Sequence, residues 1–431
     1  MAKFQTIRGM RDFLPPEATK LRQVEAVAKE TARLYGFEEV ITPLVESHDL
    51  LAAKSGEEIK ARMYAFEDLG GRKDALRPEF TASIARLIAT TMRNEPKPLR
   101  LFSTGTLYRY DEPQFGRYRE FWQSNFEIIG SDRPEADVEV LTLTNHIVEE
   151  TGLRRHQVKI GHVGILRGLL SEEGIEDERQ NAVMQLLDAQ RWDAALQMVK
   201  DFGISMTGAK ALKGIFTAKG KKAGKVLSAL KKQLTPYESA VAAAQNLHQI
   251  IDLLDASGVK MDMVIEAGFA RGLEYYTGMI FEPLVPEMEI SLGGGGRYDK
   301  LVELFGGEPT PAVGVAHGLD RIALAMEKQT IPPQVSGPHV AVIPIGEEAV
   351  PRAVAIAMQL REKGVAVDLD IMGRTVSRAL QDADRRQAVY AVILGPRELE
   401  EDKAMLRDMK SRQQCLVSID ELLSDLPEKA R

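Results

Sequence analysis

A chain with one cysteine can build neither an internal disulfide nor a cysteine-based zinc site, and Cys415 is the only cysteine in 431 residues. It is expected as a buried or half-buried strand residue. The seven histidines are scattered without metal-ligand spacing. No apolar run approaches the roughly 20 residues that span a bilayer, and the first thirty residues carry charges throughout, with no apolar segment of signal-peptide length. Residence in the cytoplasm, away from membranes, is the expectation. Low-complexity tracts and obvious repeats are missing too, which sets aside fibrous and disordered classes.

What is present is ordinary globular composition, 44% hydrophobic and 28% charged. At roughly 100–200 residues per domain, the length predicts two to four domains. A formal charge of −7 argues against a general nucleic-acid coat protein and against DNA as a partner, but it averages over the whole chain. Between Phe202 and Pro236 there is no acidic residue, while Lys210, Lys213, Lys219, Lys221, Lys222, Lys225, Lys231 and Lys232 accumulate. Such a run is either a solvated face or a surface for phosphate backbone.

Apolar spacing predicts a helix over 17–35 that ends at Gly36, followed by a strand from Phe37 to Thr42 that stops at Pro43. Residues 99–130 read as a long hairpin with arms Leu99–Tyr110 and Arg119–Ile129. Counting by twos along the second arm, Phe121, Gln123, Asn125 and Glu127 share one face, and Trp122, Ser124, Phe126 and Ile128 the other. The first face sets a carboxylate, an amide and a ring on one side of a sheet; the second is a plain core face. From about 165 to 260 the pattern turns helical and resembles an inserted module. Strand-like text resumes at Met263–Phe269, Met279–Pro283 and Gly293–Gly296, and Ala312–Val315 leads through Gly318 into a helix from Leu319. Two prolines and a Ser-Gly near 331–337 mark a linker. Beyond it, His339–Gly346, Val365–Asp370 and Ala388–Gly395 alternate with helical stretches 347–363 and 374–386, which predicts a parallel sheet in a separate α/β domain.

Gly214–Lys222 is not a phosphate loop, because the spacing is wrong and Lys222 stands where Ser or Thr is needed. The run Gly293–Gly296 does not fit the dinucleotide fingerprint; it either lets backbone approach a flat ligand or makes a bulge or tight turn. In the hairpin, Arg109, Arg117 and Arg119 converge near Phe121, with Asp111 and Glu112 between them. Guanidiniums bind phosphate bidentately and stack on rings, so this is either a nucleotide site or a solvated charged turn. Arg321 falls in the first turn of its helix, where a cation is disfavoured unless an anion lies nearby; an exposed arginine without a role is the alternative.

These segments resemble a known family. The helix and strand of 17–43, the Arg109–Glu127 hairpin and Ala312–Ala325 (AVGVAHGLDRIALA) look like the three motifs of class II aminoacyl-tRNA synthetases. RGLEYYTGMIFE at 271–282 and GGGGRYDKL at 293–301 resemble the two segments peculiar to histidyl-tRNA synthetases, and IRGMRDFLP at 7–15 and LRPEFT at 76–81 are similar too. The resemblance implies an α+β fold: a class II antiparallel sheet flanked by helices over 1–165 and 261–330, a helical insertion over 166–260, and an anticodon-binding α/β domain over 331–431. It implies ATP-dependent activation of L-histidine and its transfer to histidine tRNA, by a homodimer, with Mg²⁺ held mainly by the ATP phosphates and no metal site on the protein. Glu79, Thr81 and Gln123 would take the histidine ammonium, and Glu127 and Tyr276 the imidazole, with Tyr275 lining the pocket. Arg109 would lie near the carboxylate and α-phosphate, and Arg271 would approach the same phosphate from the other side as the main catalytic side chain. Phe121 and Arg321 would sandwich adenine, Arg117 and Arg321 hold the outer phosphates, and Asp111 face the purine. Two departures stand out: Glu274 replaces the usual aspartate, and Glu112 stands where many members have arginine, in the loop that meets the tRNA end. A non-catalytic relative, the regulatory subunit of ATP phosphoribosyltransferase in histidine biosynthesis, resembles the same fold, but typically lacks the last domain and degrades the Arg-Gly-Leu segment.

Overall fold

Two prolines at the start of the helix Pro15–Leu34 supply the fixed backbone angle that a first turn needs. The helix buries Leu21, Val24, Ala28 and Ala32, and Gly36, at φ +70°, lets the chain turn out of it. In the computed structural model, which describes residues 4–53, 60–270, 275–333 and 338–429, the chain forms two compact units, Met1–Pro333 and Gln334–Arg431. Among the described residues no helix is long and apolar enough to cross a membrane.

The first unit is organised on a nine-stranded, mainly antiparallel sheet. Its strand order is Glu38–Glu39, Leu99–Tyr108, Glu120–Ile129, Ala312–Gly318, Gly293–Arg297, Met279–Leu284, Gln157–His162, Met263–Glu266 and Lys219–Gly220. Only the pairings of Glu38–Glu39 with the hairpin and of Met263–Glu266 with Gln157–His162 are parallel. The first strand is shorter than the sequence predicts. Val40 still donates to the Phe102 carbonyl, but its own carbonyl is taken by the Ser103 hydroxyl, and that of Thr42 by the Arg77 guanidinium. The glycine run is neither bulge nor tight turn: it is a regular strand between two neighbours.

The helical stretch is built onto this sheet. Its helices share one continuous apolar core with the hairpin and the Pro15–Leu34 helix, and Lys219–Gly220 pairs with Ile265 and Glu266 at the sheet edge. Three short strands, Val45–Ser47, Lys73–Leu76 and Ala65–Glu67, form a second small sheet that leads into the helix Thr81–Ala89.

The second unit has its own apolar clusters on either side of a five-stranded sheet. Val367–Leu369, Val340–Pro344 and Tyr390–Leu394 are parallel, as βαβ order requires. Two further strands, Lys403–Asp408 and Gln414–Ser418, add antiparallel at one edge. Cys415 lies on that outermost strand and is exposed, contrary to the expectation of a buried or half-buried residue, because an edge strand has a neighbour on one side only.

Candidate active site

The hairpin arm Glu120–Ile129 does what its two-residue period implies. Phe126 and Ile128 enter the core, while Phe121, Gln123, Asn125 and Glu127 face a cavity of about 330 Å³. It is lined too by Glu79, Thr81, Tyr275 and Tyr276, which like Glu127 are buried, and by Arg109, Asp111, Arg117 and Arg321, which are half-buried or exposed. Arg271 and Glu274 lie outside the described residues.

Glu79 reaches the cavity because Arg77 ties its segment down. The Arg77 guanidinium is buried, donates to the carbonyls of Thr42 and Thr106, and lies 4.3 Å from the Phe80 ring. Arg109 Nε donates to the Pro78 carbonyl at 3.0 Å, and its guanidinium stands 5.2 Å from the Phe121 ring centre. Burial raises the Glu79 carboxyl above its ordinary range, opposed by the charge of Arg109 and a hydrogen bond from Tyr275.

Glu127 is 1% exposed, and three side chains donate to it. Thr81 Oγ1 and Asn125 Nδ2 reach Oε1 at 2.9 and 2.8 Å, and the Tyr298 hydroxyl reaches Oε2. Burial pushes its pKa up to about 7 against the pull of these donors, and Glu79 raises it further. Opposite Glu127 in the sheet register stands Gly314, where a Cβ would lie 1.6 Å from Oε2. Only glycine leaves that carboxylate its place. Tyr298 was not among the residues assigned from the sequence. The structure puts its phenol on Glu127, whereas Tyr276 stacks at 4.9 Å on Tyr275 beside it.

Arg321 sits in the first turn of Leu319–Lys328, with Nε on the Gly116 carbonyl and Nη1 on the Ser291 carbonyl, both near 3 Å. These contacts hold the hairpin loop over the cavity. Arg117 is exposed at the rim. Asp111 accepts from Arg62 at 3.2 Å. Arg119 does not join the convergence expected of it: it is buried, stacks 3.7 Å from Tyr110 and donates to the Asp111 carbonyl. Exposed Glu112 pairs with Arg8. Among the described residues, no group of three His, Cys, Asp or Glu side chains is placed to hold a metal ion.

The cavity is therefore lined by buried carboxylates and by more exposed arginines, on a mainly antiparallel sheet whose strand Ala312–Gly318 runs directly into a helix. That is the catalytic architecture of class II aminoacyl-tRNA synthetases; apo S. aureus histidyl-tRNA synthetase matches the chain with a TM-score of 0.70 at 26% identity, covering 98% of this chain and 99% of that one. The chain belongs to the histidyl-tRNA synthetase family, whose model matches residues 9–322, and an anticodon-binding-domain model matches residues 339–429. The histidine–tRNA ligase of Pyrococcus furiosus is 39% identical over 425 residues, and that of Methanocaldococcus jannaschii 40% over 422; each alignment covers 97% of this chain and 98% of the relative.

Proposed function

We propose that this chain is a histidine–tRNA ligase: it converts L-histidine and ATP to histidyl-adenylate and pyrophosphate, then passes the histidyl group to the 3′-terminal adenosine of histidine tRNA. The observation that carries this reading is Glu127, a buried carboxylate already braced by three donors, in a cavity whose more exposed lining includes Arg109, Arg117 and Arg321. A site with a buried carboxylate discriminates strongly, because an amino acid that cannot pair with it leaves its charge uncompensated. The regulatory-subunit alternative is not favoured, since ligases match over nearly the full length and the anticodon-binding domain is present.

In the first step a histidine carboxylate oxygen attacks the α-phosphorus as the bond to pyrophosphate breaks. Glu79, Thr81 and Gln123 hold the ammonium, Glu127 and Tyr276 the ring, and Tyr275 walls the pocket. Arg109, near the α-phosphate, meets the charge that develops there, and Arg271 is assigned the opposite side by family resemblance. Phe121 and Arg321 enclose the adenine beside Asp111, and Arg117 and Arg321 take the outer phosphates. In the second step a ribose hydroxyl attacks the acyl carbon and AMP leaves; positioning carries both steps. Bound through the ATP phosphates, Mg²⁺ would supply charge neutralisation there.

Exposed Lys210, Lys213, Lys222, Lys225 and Lys232 suit RNA phosphates, whereas Lys219 and Lys221 pair with Glu266 and Asp262. A homodimer is supported by the exposed apolar side chains Ile41, Leu44, Val45, Phe66 and Leu69 in the segment 41–69. The cytoplasm, where tRNA is charged, is the proposed place of action.

ATP–pyrophosphate exchange tests the reading: histidine alone among the amino acids should support it. Equal exchange with glutamine would sink the assignment.

A further inference from the structure

The segment before the first helix lies against the hairpin loop. Arg119 donates its backbone N–H to the Gly9 carbonyl at 2.8 Å, and Gly9, at φ +85°, has the Arg119 side chain where a Cβ would be. This fixes the path of the next residues, and two positions on Arg11 turns inward. Its guanidinium lies 3.7 Å from the ring centre of Tyr118 and 4.4 Å from that of Phe13, and Nη2 donates to Asp320 Oδ1. The Asp320 side chain is 3% exposed, and its other oxygen accepts the backbone N–H of Trp122.

Besides Phe13, the residues around Arg11 are chain neighbours of ones assigned to ATP. Tyr118 follows Arg117, Asp320 precedes Arg321, and Trp122, held by Asp320, follows Phe121. Tyr118 and Trp122 belong to the hairpin and Asp320 to a helix start about two hundred residues on, so noncovalent contacts must keep their common geometry. A buried carboxylate needs a countercharge, and burial here already drives the Asp320 carboxyl above its ordinary range, with Arg11 among the groups opposing this. The planar guanidinium serves both the carboxylate and the ring, which an ammonium does less well. On the histidine side the arrangement touches only the backbone next to Gln123, through Trp122; Glu127 is held separately by Thr81, Asn125 and Tyr298.

We infer that Arg11 is a positioning residue for ATP: through Asp320 and Tyr118 it aligns Arg117, Phe121 and Arg321 on the nucleotide while leaving histidine binding alone. This rests on the proposed ATP site in the cavity.

The full chain carrying Arg11→Met should show an ATP KM about tenfold higher or more in pyrophosphate exchange, with the histidine Kd, measured calorimetrically without ATP, within about twofold of the wild type. Arg11→Lys, which keeps the charge but loses the planar stack, should give a smaller rise confined to ATP; it also serves if Arg11→Met does not fold. No rise in ATP KM in the variants that fold, or equal losses for ATP and histidine, overturns the inference. The wild type separates the two readings. If it exchanges with histidine and the variants match it, only the role of Arg11 fails; if it does not exchange, the proposed function fails and this inference with it.

Discussion

Tyr298 donates to Glu127 in the cavity, and the acid–base balance of this pair can be tested. With a pKa of about 7, Glu127 is half ionised near neutrality, so its ionised fraction climbs between about pH 6 and 8. If the ionised form reads the imidazole, the histidine KM falls as pH rises through that range. The Tyr298 hydroxyl favours the ionised form, so Tyr298→Phe should move this limb to higher pH and raise the histidine KM at pH 7 by about tenfold or more, as expected for a charged hydrogen bond of roughly 1.5–3 kcal/mol. Free histidine titrates identically in both experiments, so the difference belongs to the protein. Superimposable KM profiles from pH 6 to 9 would rule this out. The same carboxyl bears on stability, with the sign of a raised acid. Its protonated form costs the fold little below pH 4.5, and the penalty grows as pH rises through about 7. Tyr298 could not be singled out from sequence. It and Tyr276 both lie in segments resembling the family, and nothing local says which phenol faces Glu127; strand order decides that.

At the scale of elements, the strand Ala312–Gly318 makes the site possible by what it lacks. Gly314→Ala would drive a methyl to 1.6 Å from Glu127 Oε2 and 2.7 Å from the Phe126 carbonyl oxygen, so it should destabilise by about 1–3 kcal/mol or more and raise the histidine KM. Gly224, in the exposed helix Ala223–Gln233, has room for a methyl and no positive φ, and Gly224→Ala should stabilise by about 0.5–1 kcal/mol. Urea titration of both variants reads the opposite signs, and equal effects would show that Gly314 is ordinary. The hairpin was legible because ten residues of alternating character fix both period and face. Gly293–Gly296 was not, since glycines carry no pattern. Instead a Cβ at Gly293 or Gly295 would lie 2.4 or 2.2 Å from a carbonyl oxygen of the neighbouring strand, a distance visible only in the folded sheet. Lys219–Gly220 was illegible for another reason: two residues define no period, and its pairing partners Ile265 and Glu266 lie about forty-five residues away.

At the scale of the molecule, the proposed chemistry and the proposed tRNA reading fall on different units. Every described cavity residue lies before Pro333, and the first unit has an apolar core of its own among the described residues. The second unit has its own clusters around Val340, Val342 and Val392 and around Ala341, Ile343 and Ala391. A chain ending at Pro333 therefore removes no core side chain from the first unit, and its melting transition should stay close to that of the catalytic unit in the full chain. Histidine-dependent pyrophosphate exchange should persist within about threefold, because positioning of the small substrates comes from groups that all remain. Aminoacylation should fall by about 100-fold or more, because the removed unit is the one matched by the anticodon-binding model, and lost tRNA-binding energy of roughly 2.7 kcal/mol gives that factor. The loss should appear chiefly in the KM for tRNA, since binding that is equal in ground and transition states changes KM rather than kcat. If the shortened chain charges tRNA as well as the full one, the second unit does not contribute to tRNA recognition, and the surface lysines of the first unit must carry it instead.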